Sequence, residues 1–377
     1  MNRFSAERVQ RTSPDFVLIG VLILLIGLGL SMLYSASYYR AEVLYGEPEQ
    51  FFRRQVMWIG LGAVAAVIAM QVPISLVRRG IPALLLVAFV LMILSFVPGV
   101  GAQYLGARRW IFLFGYSFQP SELVKLALVL YLAFILEKKQ DRMDDPVNAL
   151  LPPLIVVVLL ASLIYLQNDF STALFVSFVS LVMFFVARVR IRYFISLGVM
   201  AIPLATILLL SREHRVNRIL AYLDPAHDPS DTGYQILASR TALVQGGFWG
   251  RGIGQGTRKF GSLPEAHSDF VFASIGEELG FIGVAVVLIL FLAFAYRGFS
   301  IAFSTDDTFE ALLAFGLTAV ILFQALLNMA VVSGLVPATG IPLPFFSQGG
   351  SSVFVTLVMC GLLLGLSRRA RGEAARG

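Results

Sequence analysis

The chain has 377 residues, of which 58% are hydrophobic and 14% charged, and it carries a formal net charge of +6. A mean hydropathy of +0.81 excludes a soluble globular domain and puts the chain in the polytopic membrane class. The single cysteine, Cys360, lies inside an apolar run, which excludes an intrachain disulfide or a thiolate metal site.

In chain order, apolar runs long enough to cross about 30 Å of hydrocarbon are predicted at Phe16–Tyr34, Val56–Val72, Ile81–Val97, Leu123–Leu136, Leu151–Leu166, Phe170–Val186, Tyr193–Leu210, Phe270–Tyr296, Leu312–Val332 and Val353–Leu366. The expected architecture is an all-α bundle of about ten transmembrane helices forming a single membrane domain over residues 1–377. It comprises an N-tail 1–15, a polar outer loop 212–268 between the seventh and eighth runs, and a C-tail 367–377. The first run lacks a small-residue cleavage site and is expected to be retained.

An even number of spans puts both tails on one side. About sixteen Lys and Arg, including Arg3, Arg8, Arg78, Arg79, Lys138, Arg190, Arg297 and Arg368, fall on that side, against about five in the opposite short loops. That side is therefore expected to be cytoplasmic, and topology accounts for the basic charge without nucleic-acid binding. His214, His227 and His267 all lie in the outer loop without metal-ligand spacing.

The ionisable residues near the outer starts of the fourth, sixth and eighth runs carry the functional signal, because charge in hydrocarbon is costly and marks sites. Glu122 and Lys125, three apart, share a helix face and form either a self-satisfied pair or part of a site. Asp169, in Gln167-Asn168-Asp169-Phe170-Ser171-Thr172, suits a helix N-cap as well as a site. Asp269 likewise precedes an apolar run, but capping does not require the neighbouring Pro264, Glu265 and His267. Glu277 is placed by helical periodicity near the same cavity, and Glu278 towards a neighbouring helix. Arg108 and Arg109 form either a solvated loop pair or a site for a phosphate or diphosphate, which guanidinium groups bind through paired donors. Gly250-Arg251-Gly252-Ile253-Gly254-Gln255-Gly256 lets backbone N–H groups approach an anion, although no strand precedes it. The Pro- and Gly-rich stretch Pro337–Ser352 is expected to fold into a cavity mouth, where irregular backbone is tolerated.

An outward-facing, acid-lined cavity with arginines suits a substrate that has a lipid tail, an anionic linker and a polar head. A transferase needs a carboxylate base and cations for a departing phosphate; a transporter needs a midplane site and usually repeated halves. The charge at the outer leaflet and the missing repeat favour the enzyme.

The same residues resemble the SEDS family (shape, elongation, division and sporulation), the polytopic peptidoglycan polymerases that include RodA and FtsW. The resemblance is carried by Gly106-Ala107-Arg108-Arg109-Trp110, Phe118–Lys125, Gln167–Thr172, Gly250–Lys259, Leu263–Phe270 with Gly276–Gly280, and Pro342–Ser352. It implies a ten-helix fold and an inverting glycosyltransferase that polymerises lipid II, an undecaprenyl-diphosphate-linked disaccharide pentapeptide. It implies Asp269 as general base towards the acceptor 4-hydroxyl, directly or through a divalent cation such as Mg or Mn. Arg109 and Lys125 would stabilise the leaving group, with Glu122 and Asp169 positioning Lys125 or a cation. Lys259, Glu265, His267, Glu277 and Ser351 are the further candidate substrate contacts. Departures from the family pattern stand at Asn168, Ser171, Gly256, Ser268 and Gln348, and none removes an ionisable group. The Pro264-Glu265-Ala266-His267 segment looks more like division-type FtsW than elongation-type RodA, which implies a septal role in the bacterial cytoplasmic membrane. The expected partners are a class B penicillin-binding transpeptidase, for which the eighth and ninth runs offer a face, and other division-complex membrane proteins. A lipid II flippase and a non-catalytic scaffold are the competing readings.

Overall fold

The computed structural model describes residues 13–104, 107–113, 115–142, 146–225, 232–257 and 267–374. The first three helices are α1 (Phe16–Tyr45), α2 (Gln50–Gln71) and α3 (Ile74–Leu94). A small antiparallel sheet follows, with β1 (Gly101–Tyr104) pairing with β2 (Ala107–Leu113), and β2 with β3 (Tyr116–Phe118). Next come α4 (Pro120–Lys138), the one-turn α5 (Pro146–Ala149), α6 (Leu151–Leu166), α7 (Phe170–Val186) and α8 (Ile191–Leu210). The outer segment contributes α9 (Glu213–Leu223) and α10 (Thr232–Gly246), before α11 (Val271–Phe303), α12 (Thr308–Val332) and α13 (Gly350–Ala374) complete the bundle.

The predicted runs correspond in order to α1–α4, α6–α8 and α11–α13. Seven of these, α1, α2, α3, α8, α11, α12 and α13, are long and apolar enough to cross a membrane, and α6 and α7 are shorter apolar helices. The remaining one, α4, carries Glu122, Lys125, Glu137 and Lys138 at its two ends. The expectation of a wholly α chain holds for the bundle and not for the outer surface. There Ile111, Phe112 and Leu113 pair with Phe118, Ser117 and Tyr116 as strands rich in β-branched and aromatic residues, with Gly115 at φ 81° in the turn. The described residues of the polar loop 212–268 include α9 and α10.

One end of the bundle is tied by ion pairs. Arg78 contacts Glu137 at 2.8 Å and Asp307 at 2.8 Å, Arg369 contacts Glu310 at 3.2 Å, and Arg297 pairs with Asp15. Asp15 also caps α1, accepting from Val17 and Leu18 N–H at 3.0 and 3.1 Å, and Asp307 caps α12. This is the end that the Lys and Arg distribution assigns to the cytoplasm.

At the opposite end the Pro337–Gly349 segment dips into the core. Phe346 is fully buried, and its ring centroid lies 6.2 Å from that of Phe291. Gly29 of α1 permits this approach, because a Cβ there would lie 2.2 Å from the Phe345 carbonyl oxygen. Helix α11 breaks at Gly280, at φ 65° and ψ −162°. Its freed backbone groups are taken up by the preceding loop: Arg251 and Gly252 N–H donate to the carbonyls of Glu277 and Glu278 at 3.0 and 2.9 Å, and Phe281 N–H donates to Gly247 at 2.9 Å. A break inside a membrane helix is stable only when its polar groups are satisfied in this way.

Candidate active site

Two amides on α12 organise the outer half of the bundle. Gln324 accepts from Lys125 Nζ at 2.6 Å and donates to the Pro342 carbonyl at 2.9 Å. Four residues on, Asn328 Nδ2 donates to the carbonyls of Asp269 and Ile341, both at 2.9 Å. One face of one helix therefore positions Lys125, the Pro-rich loop and the backbone of Asp269. Neither amide was singled out from sequence, although two amides at i and i+4 in an apolar span are a readable signal.

Lys125 Nζ also lies 2.7 Å from Glu122 Oε2, and both side chains are 4% exposed. The pair is thus internally satisfied. Asp169 caps α7, accepting from Thr172 N–H at 3.2 Å, while its second oxygen stands 3.9 Å from Arg109 Nε. The Arg109 guanidinium also donates to the carbonyl of Asn168, which is in the left-handed region at φ 63°.

Arg109 and Asp169 line a cavity of about 580 Å³ between α7, α9, α12 and the segment Val336–Thr339. Its upper wall carries Arg109, His214, Arg215 and Arg218, and its lower wall is built from Leu174, Phe175, Phe178, Phe323, Leu326 and Leu327. Leu174, Phe178 and Leu326 are exposed on the flank of the bundle, so the apolar part opens sideways towards hydrocarbon. Asp269 sits one residue from this wall, since a Cβ on Gly340, the neighbour of Thr339, would lie 3.4 Å from Asp269 Oδ2. The N-cap position of α11 falls on Phe270, so Asp269 is not its capping residue.

The remaining candidates are held elsewhere. Glu277 accepts from Thr257 N–H at 2.8 Å and lies 3.4 Å from Arg251; Glu278 accepts from Ser35 Oγ at 2.7 Å and Gly254 N–H at 2.9 Å. Both glutamates fasten the glycine-rich loop to α11, and the glycine run presents its N–H groups to them. His267 stacks on Phe51 at 5.0 Å, and its carbonyl accepts from Gln348 N–H at 2.9 Å. Ser351 Oγ accepts from Gln119 N–H at 3.2 Å, joining α13 to the start of α4. Lys259 and Glu265 lie outside the described residues. Among the described residues no group of three or more His, Cys, Asp or Glu is placed to hold a metal ion.

The arginines of α9 are the other part of the site that sequence reasoning missed. Arg215 is buried, lies 4.5 and 5.1 Å from the ring centroids of Tyr165 and Phe170, and donates to the Leu208 carbonyl at 2.6 Å. Burial, and then the charges of Arg215, Arg218, Arg109 and Arg212, hold the His214 imidazole below its ordinary pKa. Removing a nearby positive charge relieves the penalty on the imidazolium, so Arg215→Gln and Arg218→Gln are each expected to raise the His214 pKa. An NMR titration of labelled histidine reads this directly; an unmoved pKa in both variants contradicts the proximity.

Fold and site together define a polytopic membrane protein with a cation-headed, lipid-facing cavity at its outer end. The chain belongs to the FtsW/RodA/SpoVE family, described as "Cell cycle protein", which it matches over residues 15–372. Among its relatives is the "Probable peptidoglycan glycosyltransferase FtsW" of Geobacter sp. (strain M18), 39% identical over 96% of this chain and 98% of that one. The "Stage V sporulation protein E" of Bacillus subtilis (strain 168) is 39% identical over 96% and 99%. Among solved structures, a chain of a peptidoglycan synthase complex, studied for the "structural coordination of polymerization and crosslinking", matches with a TM-score of 0.79 at 29% identity over 95% and 98%. The Rod shape determining protein RodA of Thermus thermophilus matches with a TM-score of 0.69 at 27% identity over 94% and 97%.

Proposed function

We propose that the chain is a peptidoglycan glycosyltransferase that polymerises lipid II into glycan strands at the outer face of the cytoplasmic membrane, in septal wall synthesis. The observation that carries this reading is Asp269 at the rim of a cavity with guanidinium groups at its head and an apolar, laterally open shaft. The names of the relatives support both the activity and the division role. Asp269 accepts the proton of the acceptor 4-hydroxyl, the hydroxyl oxygen attacks the donor anomeric carbon with inversion, and the lipid diphosphate leaves. Asn328 and the Pro337–Gly349 segment hold Asp269 in place. A divalent cation carried mainly by substrate phosphates needs few protein carboxylates; Asp269 suits that role, and the ion would neutralise charge on the diphosphate.

A flippase has to open at both ends in turn. The ion pairs that tie α1, α3, α4, α11, α12 and α13 at the cytoplasmic end favour the enzyme. The proposed partner is a class B penicillin-binding transpeptidase, consistent with similarity to a chain of a synthase complex. Of the two helices considered for its docking, α12 is mostly buried inside the bundle, whereas α11 exposes Phe281, Ile289, Leu292 and Tyr296. The test supplies purified protein and transpeptidase with labelled lipid II and Mg²⁺ or Mn²⁺. A ladder of glycan polymer is expected; lipid II translocated in vesicles without polymer supports the flippase, and neither product supports the scaffold.

A further inference from the structure

The cations assigned from sequence to the departing diphosphate are Arg109 and Lys125, and of these only Arg109 lines the cavity. Lys125 is engaged by Glu122 and Gln324 within the helix bundle. The cationic wall is completed instead by α9, in a segment that reads from sequence as an outer loop.

We propose that α9 is the diphosphate-binding element for the lipid-linked donor, with Arg215 and Arg218 joining Arg109 at the head group while the apolar wall takes the first isoprenoid units. This rests on the glycosyltransferase reading above and adds to it which groups receive the leaving charge. Arg215 gives the first argument. It is 5% exposed; among the described residues its side chain meets the Leu208 carbonyl, the Tyr165 hydroxyl and the rings of Tyr165 and Phe170 but no carboxylate, and its Nε has no hydrogen-bond partner. A buried guanidinium without a carboxylate is an uncompensated charge, and a bound diphosphate provides the missing counter-ion in the geometry guanidinium groups favour.

The chemistry gives the second argument. The acceptor oxygen bonds to the donor anomeric carbon, the bond from that carbon to the phosphate oxygen breaks, the electron pair leaves on the diphosphate, and the hydroxyl proton passes to Asp269. Negative charge grows on the donor diphosphate alone, so fixed cations accelerate the step only where the donor head lies. Size gives the third. About 580 Å³ falls in the range of small-ligand pockets, enough for a head group and the start of a tail whose remainder runs out past Leu174, Phe178 and Leu326 into lipid.

The test uses the purified full chain with farnesyl diphosphate as a short probe and farnesol as a tail-only control. Arg218→Gln, at a half-buried position, and Arg215→Gln are each expected to weaken farnesyl diphosphate binding about tenfold or more and leave farnesol binding unchanged. Equal farnesyl diphosphate affinity in wild type and both variants overturns the assignment. Photoreactive farnesyl diphosphate on wild type gives an answer that needs no variant: label mapped to Arg212–Leu223 supports the site, and label confined to other segments overturns it. Neither readout requires polymer. A protein that binds the probe through α9 yet makes no glycan from lipid II keeps this site and loses the glycosyltransferase reading.

Discussion

Replacing Asp269 by Asn is expected to abolish glycan polymerisation while leaving the protein folded. The substitution removes the proposed proton acceptor and keeps shape and polarity. The Asn328 bond survives it, because Asn328 donates to the backbone carbonyl of residue 269 and not to its side chain. Loss of a general base lowers a rate by roughly 10²–10⁴-fold, which takes a polymer ladder below detection. The check is lipid II polymerisation beside a thermal melt in detergent. A variant that melts like wild type and still makes polymer removes Asp269 from the mechanism.

The second large effect is on stability. Lys125→Met leaves Glu122 charged, buried and unpaired, and takes the donor from Gln324 Oε1. Breaking a buried ion pair from one side costs about 3–5 kcal/mol, whereas exchanging both partners for apolar groups of similar volume is often neutral. The double variant Glu122→Leu, Lys125→Met is therefore expected to recover most of what the single variant loses, and a double-mutant cycle of unfolding free energies measures it. Equal losses in the single and double variants contradict the coupling. If polymerisation stays lost after stability returns, Lys125 acts on the reaction directly; if it returns, Lys125 serves to hold α4 against α12.

How much of this was legible in the sequence follows from what each signal depends on. The membrane helices were readable because a span requires about twenty apolar residues whatever it packs against. The Glu122–Lys125 contact followed from helical spacing, and the cap at Asp169 from its position before an apolar run. The inward fold of Pro337–Gly349 was readable from its composition. Glu277 shows where such reasoning stops. Periodicity put it near the cavity, but its surroundings depend on a loop that returns from residues 247–257 to satisfy the break at Gly280. Only tertiary structure supplies that partner. The arginines of α9 were hidden for the opposite reason: a polar outer helix resembles any solvated loop until its neighbours are known.

The ion pairs at the inner end have a consequence for energetics. With α1, α3, α4, α11, α12 and α13 tied there and the reacting groups at the outer end, every proton and phosphate charge in the proposed transfer stays on one side of the hydrocarbon. A charge carried across would be worth about 2.3 kcal/mol per 100 mV of membrane potential. No such charge moves in this transfer, so the chemistry is electrically silent: it draws on the bond between the sugar and the diphosphate of its own lipid-linked substrate and proceeds unchanged on a depolarised membrane.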